Sequence, residues 1–512
     1  MTRLALLSVS DKTGIIDLAK ELVEKFDFEI VSSGGTAKSL QAEGIPVTYV
    51  GSYTGAPEIL GGRVKTLHPL IHGGILGRRD FPDDIKDMEE NNIRPFDLVV
   101  VNLYPFEQTV ANPEITLSQA IEQIDIGGPT MLRAAAKNFT YLTVLCEPIY
   151  YQEYLKQVSE GGPSLEFRQE MALATFQKTQ TYDLAISSYF SKINNSKNPT
   201  QWSLSGNLKQ VLRYGENPHQ KAFWYSTGAK DSGWAAAKQL QGKELSYNNL
   251  VDLEAARRLI VEFSPSIPAA AILKHTNPCG VALGTTLVEA YTKAFNADSV
   301  SAFGGIVALN QSIDLDTAKI LSKTFLECIV APGASDEARE VLGTKSNLRV
   351  LLLEDLLSGK QEYNVEMLSG GFLLQSIDTL SSVPEQWQVV TSKQPTADQI
   401  AELLFAWNVV KHVKSNAIVV TKGLTTLGIG AGQMNRVGSV GIALEQAKNH
   451  VQGSVLASDG FFPFDDSVKL AAQVGVSAIV QPGGSMRDSD SVKAADDFGI
   501  IMLLTGTRHF LH

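Results

Sequence analysis

Three short apolar runs near the start of the chain each stop abruptly at a small polar loop. Leu4 to Val9 stops at Ser10-Asp11-Lys12-Thr13-Gly14, and a helical pattern begins at Ile15. Glu29-Ile30-Val31-Ser32 runs into Ser33-Gly34-Gly35-Thr36 and a second helix, and Leu98 to Val101 runs into Asn102-Leu103-Tyr104-Pro105. Runs this short suit strands buried on both faces, and their alternation with helices gives a βαβα order, hence an α/β fold with a parallel sheet. Ligands of such sheets lie beyond the carboxyl ends of the strands, where these Ser, Gly, Thr and Asn residues fall.

At 512 residues the chain is long enough for two to four domains. A polar stretch, Ser191 to Gln210, reads as a linker. Before it, Leu165 to Phe190 forms a long helical segment in which Phe176, Tyr182, Ile186 and Tyr189 are spaced to share one buried face. The expected division is 1–195, a linker over 196–210, and 211–512. No internal repeat stands out. The net charge of −11 argues against a nucleic-acid partner. Any anionic ligand is then held by local cations, helix N-termini and backbone amides. No apolar stretch approaches the ~18 residues of a membrane span, and Met1 to Ser8 turns polar early for a signal peptide, so a cytoplasmic protein is expected.

Several loops carry chemistry. Ser33-Gly34-Gly35-Thr36 reads either as a phosphate cradle or as a plain strand-to-helix turn. Gly61 to Pro69 holds Arg63, Lys65 and Thr66 without helical periodicity, and Asp125-Ile126-Gly127-Gly128-Pro129 opens a helix bearing Arg133 and Lys137. His68 and His72 have the spacing of a metal pair, but Pro69 lies between them and no Glu follows His68, so no metal is expected there. Cys146, Cys279 and Cys328 form no Cys-x-x-Cys pair and read as buried thiols.

In the second half, Ala269 to Leu273 ends at Lys274-His275-Thr276-Asn277-Pro278-Cys279-Gly280. His beside Lys is either a proton-transfer pair or a solvated strand end. A zinc deaminase needs His-x-Glu and Pro-Cys-x-x-Cys, yet Asn277 and Ala282 stand at the decisive positions, so catalysis here is expected to be metal-free. Gly428-Ile429-Gly430-Ala431-Gly432 imitates a dinucleotide fingerprint with its third Gly misplaced. Phe461-Phe462-Pro463-Phe464 reads as core or as a flat wall for a planar ring.

The strings SVSDKTG (Ser8 to Gly14), SSGGTAK (Ser32 to Lys38), GGRVKTLHP (Gly61 to Pro69), NLYPF (Asn102 to Phe106), QIDIGG (Gln123 to Gly128), LRAAAKN (Leu132 to Asn138), LRYGENPHQ (Leu212 to Gln220), LKHTNPCG (Leu273 to Gly280), GIGAGQMNR (Gly428 to Arg436), SDGFFPF (Ser458 to Phe464) and TRHF (Thr507 to Phe510) together span nearly the whole chain. In this order they closely resemble the bifunctional purine biosynthesis family that joins AICAR transformylase to IMP cyclohydrolase. The resemblance implies a methylglyoxal-synthase-like, doubly wound first domain that closes FAICAR to IMP. It implies a second domain of cytidine-deaminase-like α/β units without zinc that transfers a formyl group from 10-formyltetrahydrofolate to AICAR. It also implies a homodimer with the transformylase site at its interface, no catalytic metal, and room for a monovalent cation.

Carried over residue by residue, the cyclohydrolase ligand should meet Ser10, Asp11, Lys12, Ser33, Gly34, Gly35, Thr36, Arg63, Thr66, Asn102 and Ile126. Lys65, Tyr104, Asp125 and Lys137 should stand near the reacting groups, with Lys137 handling protons and Lys65 stabilising oxyanion charge. The transformylase nucleotide should meet Arg213, Tyr214, Gly304, Glu327, Asn416, Arg436 and Arg508, and the folate Val437, Phe461, Asp466, Ser485, Met486 and Phe510. His275 is the implied base and Lys274 the implied oxyanion or N10 partner. Two positions depart from the family pattern: Glu327 stands where some relatives carry Asp, and Val437 where they carry Ile.

Overall fold

A computed structural model describes residues 2–57, 59–112, 114–194, 201–227, 231–358, 362–381 and 383–512. Residues 196–200 of the expected linker lie outside the described residues. The chain divides into two units, Met1–Ser205 and Gly206–His512.

The first unit is built on five parallel strands: β1 (Arg3–Ser8), β2 (Phe28–Ser32), β3 (Thr48–Tyr49), β4 (Leu98–Val101) and β5 (Thr143–Leu145). Their order is β3-β2-β1-β4-β5. All four residues of β4 and Leu4 to Leu7 of β1 are buried, as strands covered on both faces by helices must be. The order reverses between β1 and β4, so a crevice opens where Ser10 and Asn102 leave the sheet. The expected helix cap after β1 is absent as a side-chain contact. Gly14 ends the loop at φ +68°, while Asp11 accepts from the Thr13 amide and hydroxyl at 2.9 and 2.7 Å.

The long helix spans Leu165–Ile193, and one expectation about it fails. Its buried face runs through Phe167, Met171, Thr175, Thr179 and Tyr182, with Ile186 and Tyr189 against the core. Phe176 is off that face, 39% exposed, with the Arg133 guanidinium 5.6 Å from its ring centroid. Six residues separate it from Tyr182, and at 3.6 residues per turn that puts the two on different faces.

The second unit begins with a ribbon of β6 (Asn207–Leu212) and β7 (Ala222–Ser226). Next come β8 (Lys238–Gln241), the hairpin β9 (Ala269–Lys274) and β10 (Asn277–Leu283), then β11 (Ile306–Leu309), β12 (Cys328–Ala331) and β13 (Arg349–Leu352). A second ribbon, β14 (Tyr363–Leu368) and β15 (Gly371–Ser376), precedes β16 (Gln388–Val389), the hairpin β17 (Ile418–Thr421) and β18 (Thr426–Gly430), then β19 (Val455–Ser458), β20 (Ala478–Gln481) and β21 (Ile501–Leu504). The two six-stranded sheets read β10-β9-β11-β12-β13-β8 and β18-β17-β19-β20-β21-β16.

Element by element these sheets are the same, antiparallel at both margins and parallel between their fourth-to-last partners in the centre. The unit is therefore an internal duplication, contrary to the sequence expectation of no repeat. The two 14-residue helices ahead of the hairpins, Tyr247–Ile260 and Ala397–Val410, both start with a capping box, Ser246 with Asn249 and Thr396 with Gln399. Residues of both sheets share one core with Phe263, Phe405 and the fully buried Trp407. Truncating a buried aromatic of this kind costs about 3–5 kcal/mol.

The glycines of the imitation fingerprint serve this packing. A β-carbon on Gly428 or Gly430 would fall 1.9 or 2.0 Å from the carbonyl oxygens of Ala443 and Ser439, in the helix Arg436–Ala447. The first repeat does the same with Gly280 against Ala294, at 1.9 Å.

Candidate functional site

In the first unit a cavity of about 870 Å³ opens at the β1/β4 reversal. It is lined by Ser10, Lys12, Ser33, Gly35, Thr36, Arg63, Lys65, Thr66, Asn102, Tyr104, Asp125 and Ile126, which the sequence singles out. Asn102 locks the crevice: its Oδ1 accepts from the Ser10 and Asp11 amides at 2.5 and 3.0 Å, and its Nδ2 donates to the Asp11 carbonyl at 2.9 Å. Asp11 thus acts on the loop and does not line the cavity.

Two helix N-termini converge on this space, Gly34–Ala42 and Gly127–Lys137. No side chain caps the first of them, so its leading amides point toward the cavity as an anion site. Lys12 is tethered by the Val9 carbonyl and by Thr36 Oγ1 at 3.3 Å, and burial pushes its ammonium below the usual lysine range. The Lys65 ammonium lies beside Gly34, where a β-carbon would come within 3.0 Å of it. Burial pushes the Asp125 carboxyl above the usual range, opposed by the Gly128 amide at 2.9 Å and by the charge of Lys65. Burial, and then the charge of Asp125, push the Tyr104 hydroxyl up as well. An acid, an ammonium, a phenol and a set of amides in one cavity suit binding of an anion and proton transfer beside it.

Lys137 does not join them. It is the last residue of a helix that begins at Gly127, so about 15 Å of helix separates its Cα from the cavity end, and it is exposed. The expectation that it stands near the reacting groups is corrected on that ground. Two residues that the sequence reading missed contribute instead. Glu122 lines the cavity and pairs with Arg63. Tyr182, from the long helix, accepts from the Asp125 amide at 2.8 Å and donates to the Gln123 carbonyl at 3.2 Å. Neither lies within a polar loop that follows an apolar run, the signal used to find the others.

In the second unit the expected residues fall on two sheet edges. Lys274, His275, Gly304 and Glu327 lie where β9 ends and β11 and β12 begin, the amino edge of the first sheet's parallel strands. Lys274 Nζ donates to the Phe303 carbonyl at 2.9 Å, the Gly304 amide to the Phe325 carbonyl at 2.8 Å, and Glu327 pairs with Arg349 at 2.9 Å. His275 and Thr276 form a tight two-residue turn, at φ +51° and +64°. Burial raises the Asp252 carboxyl beneath it, against the Thr276 amide at 2.7 Å and the charge of His275.

Asn416, Arg436, Val437, Phe461, Asp466, Ser485, Met486, Arg508 and Phe510 lie at the opposite kind of edge, beyond the carboxyl ends of β18 to β21 or just before β17. Arg436 is buried, pairs with Asp459, and donates to Ser458 Oγ at 2.9 Å and Asn416 Oδ1 at 2.7 Å. A β-carbon on Gly460 would meet both Arg436 and Phe510, at 2.5 and 2.7 Å, and the Arg508 guanidinium lies 4.6 Å from the centroid of the Phe510 ring. Of the aromatic run, Phe462 is core, whereas Phe461 and Phe464 are exposed. The two edges meet where Asn277 Oδ1 accepts from the Lys414 amide at 3.0 Å.

Arg213 and Tyr214 stand apart from both edges, after β6, with the guanidinium 5.5 Å from the ring centroid. A cavity of about 600 Å³ takes in Thr276, Lys414 and Phe510, but Phe510 is the only expected ligand residue on its walls. No group of three or more His, Cys, Asp or Glu that could hold a metal occurs among the described residues. No helix among them is long and apolar enough to cross a membrane.

Residues 14–130 match the family model described as the MGS-like domain, and residues 135–446 match the one described as the AICARFT/IMPCHase bienzyme. The chain is 66% identical to the bifunctional purine biosynthesis protein PurH of Rippkaea orientalis, 67% to that of Microcystis aeruginosa and 66% to that of Gloeothece citriformis. Each comparison covers all of both chains.

Proposed function

The chain belongs to the AICARFT/IMPCHase bienzyme family and catalyses the last two steps of IMP synthesis, and we propose that the two reactions are divided between its two units. Closure of FAICAR is assigned to the cavity at the β1/β4 reversal. The observation that carries this is the meeting, in one anion-binding space, of two helix N-termini with Lys12, Arg63, Lys65, Tyr104 and Asp125. The amides of Gly34 and Gly35, with Lys12 and Arg63, would hold the phosphate.

In the closure, the carboxamide nitrogen attacks the formyl carbon of the same molecule, and water leaves. Orientation is the main task, with one amide proton to be taken and one carbinol oxygen to be protonated. Asp125, raised by burial, is suited to take the proton, Lys65 to stabilise the oxyanion, and Tyr104 to protonate the leaving oxygen.

Folate-dependent formyl transfer is assigned to Gly206–His512, with 10-formyltetrahydrofolate as the donor. The AICAR amine is a weak nucleophile, because its lone pair is conjugated with the ring. His275 would take its proton as the formyl carbon is attacked, and Lys274 would steady the oxyanion before N10 departs with a proton.

A homodimer completes this site in our reading. Leu208 pairs with Tyr225 and Val211 lies opposite Phe223 on the first ribbon, and all four are exposed. Met367, Leu368 and Leu373 are exposed on the second. Two-stranded ribbons are marginal alone in water, and apolar pairs of this extent fit against a second copy. The assignment is tested by asking whether Asp125→Asn stops closure alone and His275→Ala stops formyl transfer alone.

A further inference from the structure

His275 and Thr276 both hold left-handed backbone, a conformation that two-residue hairpins normally obtain from Asn and Gly. Thr276 is β-branched, for which a positive φ is strained. Something outside the turn must hold it. Asp252, the sixth residue of the helix Tyr247–Ile260, accepts from the Thr276 amide at 2.7 Å. Thr276 Oγ1 and Asn277 Nδ2 both reach only the His275 carbonyl, at 2.7 and 3.3 Å, so they tighten the turn without tying it to the helix.

The duplication supplies an internal comparison. Glu402 is the sixth residue of the matching helix Ala397–Val410, and it accepts at 2.8 Å from the amide of Leu424, itself at φ +52° in the β17/β18 turn. That turn, Lys422 to Thr425, carries neither a His nor any of the expected ligand residues. The contact from helix acid to turn amide is thus a feature of the scaffold, and in the first repeat the turn that it holds carries the imidazole.

We propose that Asp252 is a positioning residue for formyl transfer: its carboxylate holds the His275–Thr276 turn in the left-handed conformation that aims the His275 ring. This rests on the reading of His275 as the base. Small misplacement of a catalytic group can cost up to about 100-fold in rate, so Asp252→Ala should lower the formyl-transfer kcat by about 10- to 100-fold with KM for AICAR and folate unchanged. Asp252→Asn, which keeps an acceptor oxygen, should restore most of the rate. FAICAR closure should be untouched in both, and Glu402→Ala should leave the formyl-transfer kcat within about twofold of the parent, a change under 0.5 kcal/mol.

If Asp252→Ala alone does not fold, Asp252→Ala with Thr276→Gly relieves the backbone strain and should fold with kcat still low. Full kcat in either Ala protein, a loss confined to KM, no rescue by Asn, or an equal loss in Glu402→Ala overturns the proposal. His275→Ala separates the two ideas. Unimpaired transfer there removes His275 and the positioning role together, whereas an inactive His275→Ala beside a fully active Asp252→Ala removes the positioning role alone.

Discussion

Gly34 and Lys65 compete for one space: a β-carbon on Gly34 would stand 3.0 Å from the Lys65 ammonium, and Gly34 itself holds φ +48°. The lysine can be where it is because residue 34 has no side chain. Gly34→Ala should therefore displace the ammonium and strain the loop, at a cost of order 1–3 kcal/mol for a non-Gly residue in that region. FAICAR closure is expected to fall about tenfold or more while formyl transfer is unchanged, since each 1.4 kcal/mol in a barrier is about tenfold in rate. Steady-state assays of both reactions on one preparation check it, and an unchanged closure rate would count against the role of Lys65.

Tyr182 clamps the peptide on either side of Ile124, through Gln123 and Asp125. Tyr182→Phe removes the hydroxyl and leaves both backbone groups without that partner, at about 1–3 kcal/mol. The expected result is a lower kcat for closure, normal formyl transfer and a reduced melting temperature of the first unit. A variant with lower stability but full closure rate would make the clamp purely structural.

Burial holds the His412 imidazole below its usual range, more strongly than the contact with Glu262 Oε1 at 2.9 Å raises it. Burial also raises the Glu262 carboxyl, but His412 and Lys411 outweigh it and hold that group low. The unfolded chain therefore binds more protons on both groups. Stability is present above the unfolded value of about 6.5 for His and is lost as pH falls through it, with the Glu262 share lost below about 4.3. His412→Gln, which can still donate to Glu262, should flatten the stability curve between about pH 6.5 and 5 by at most 1.4 kcal/mol per pH unit. Thermal unfolding across that range would show an unchanged slope if His412 were not the group responsible.

Met367 is 73% exposed on the second ribbon. If a second copy covers it, Met367→Glu should convert a dimer into monomers in sedimentation velocity and depress formyl transfer, leaving FAICAR closure intact. A monomeric parent protein, or a dimer untouched by the substitution, would remove the ribbon from the interface.

The first unit was legible because its strands stop at polar loops: β1, β2 and β4, together with the residues that line the cavity, all follow from that one pattern. What escaped depended on three-dimensional approach. Glu122 and Tyr182 reach the site from helices whose local sequence shows no loop signal. Lys137 shares a motif with cavity residues but lies a helix length away. The duplication was hidden because buried strands such as Ala269–Lys274 and Ile418–Thr421 share burial and not residue identity. The His275–Thr276 turn carries none of the residues that usually announce positive φ.

The most direct measurement is a crossed assay on Asp125→Asn and His275→Ala, with FAICAR supplied without folate for one reaction and AICAR with 10-formyltetrahydrofolate for the other. Loss of a general acid or base should cost about 10²–10⁴ in rate. The predicted result is that Asp125→Asn accumulates FAICAR without forming IMP, whereas His275→Ala closes supplied FAICAR at the parent rate but makes none. Loss of both reactions in either folded variant, or of neither, would contradict the division of the two steps between Met1–Ser205 and Gly206–His512.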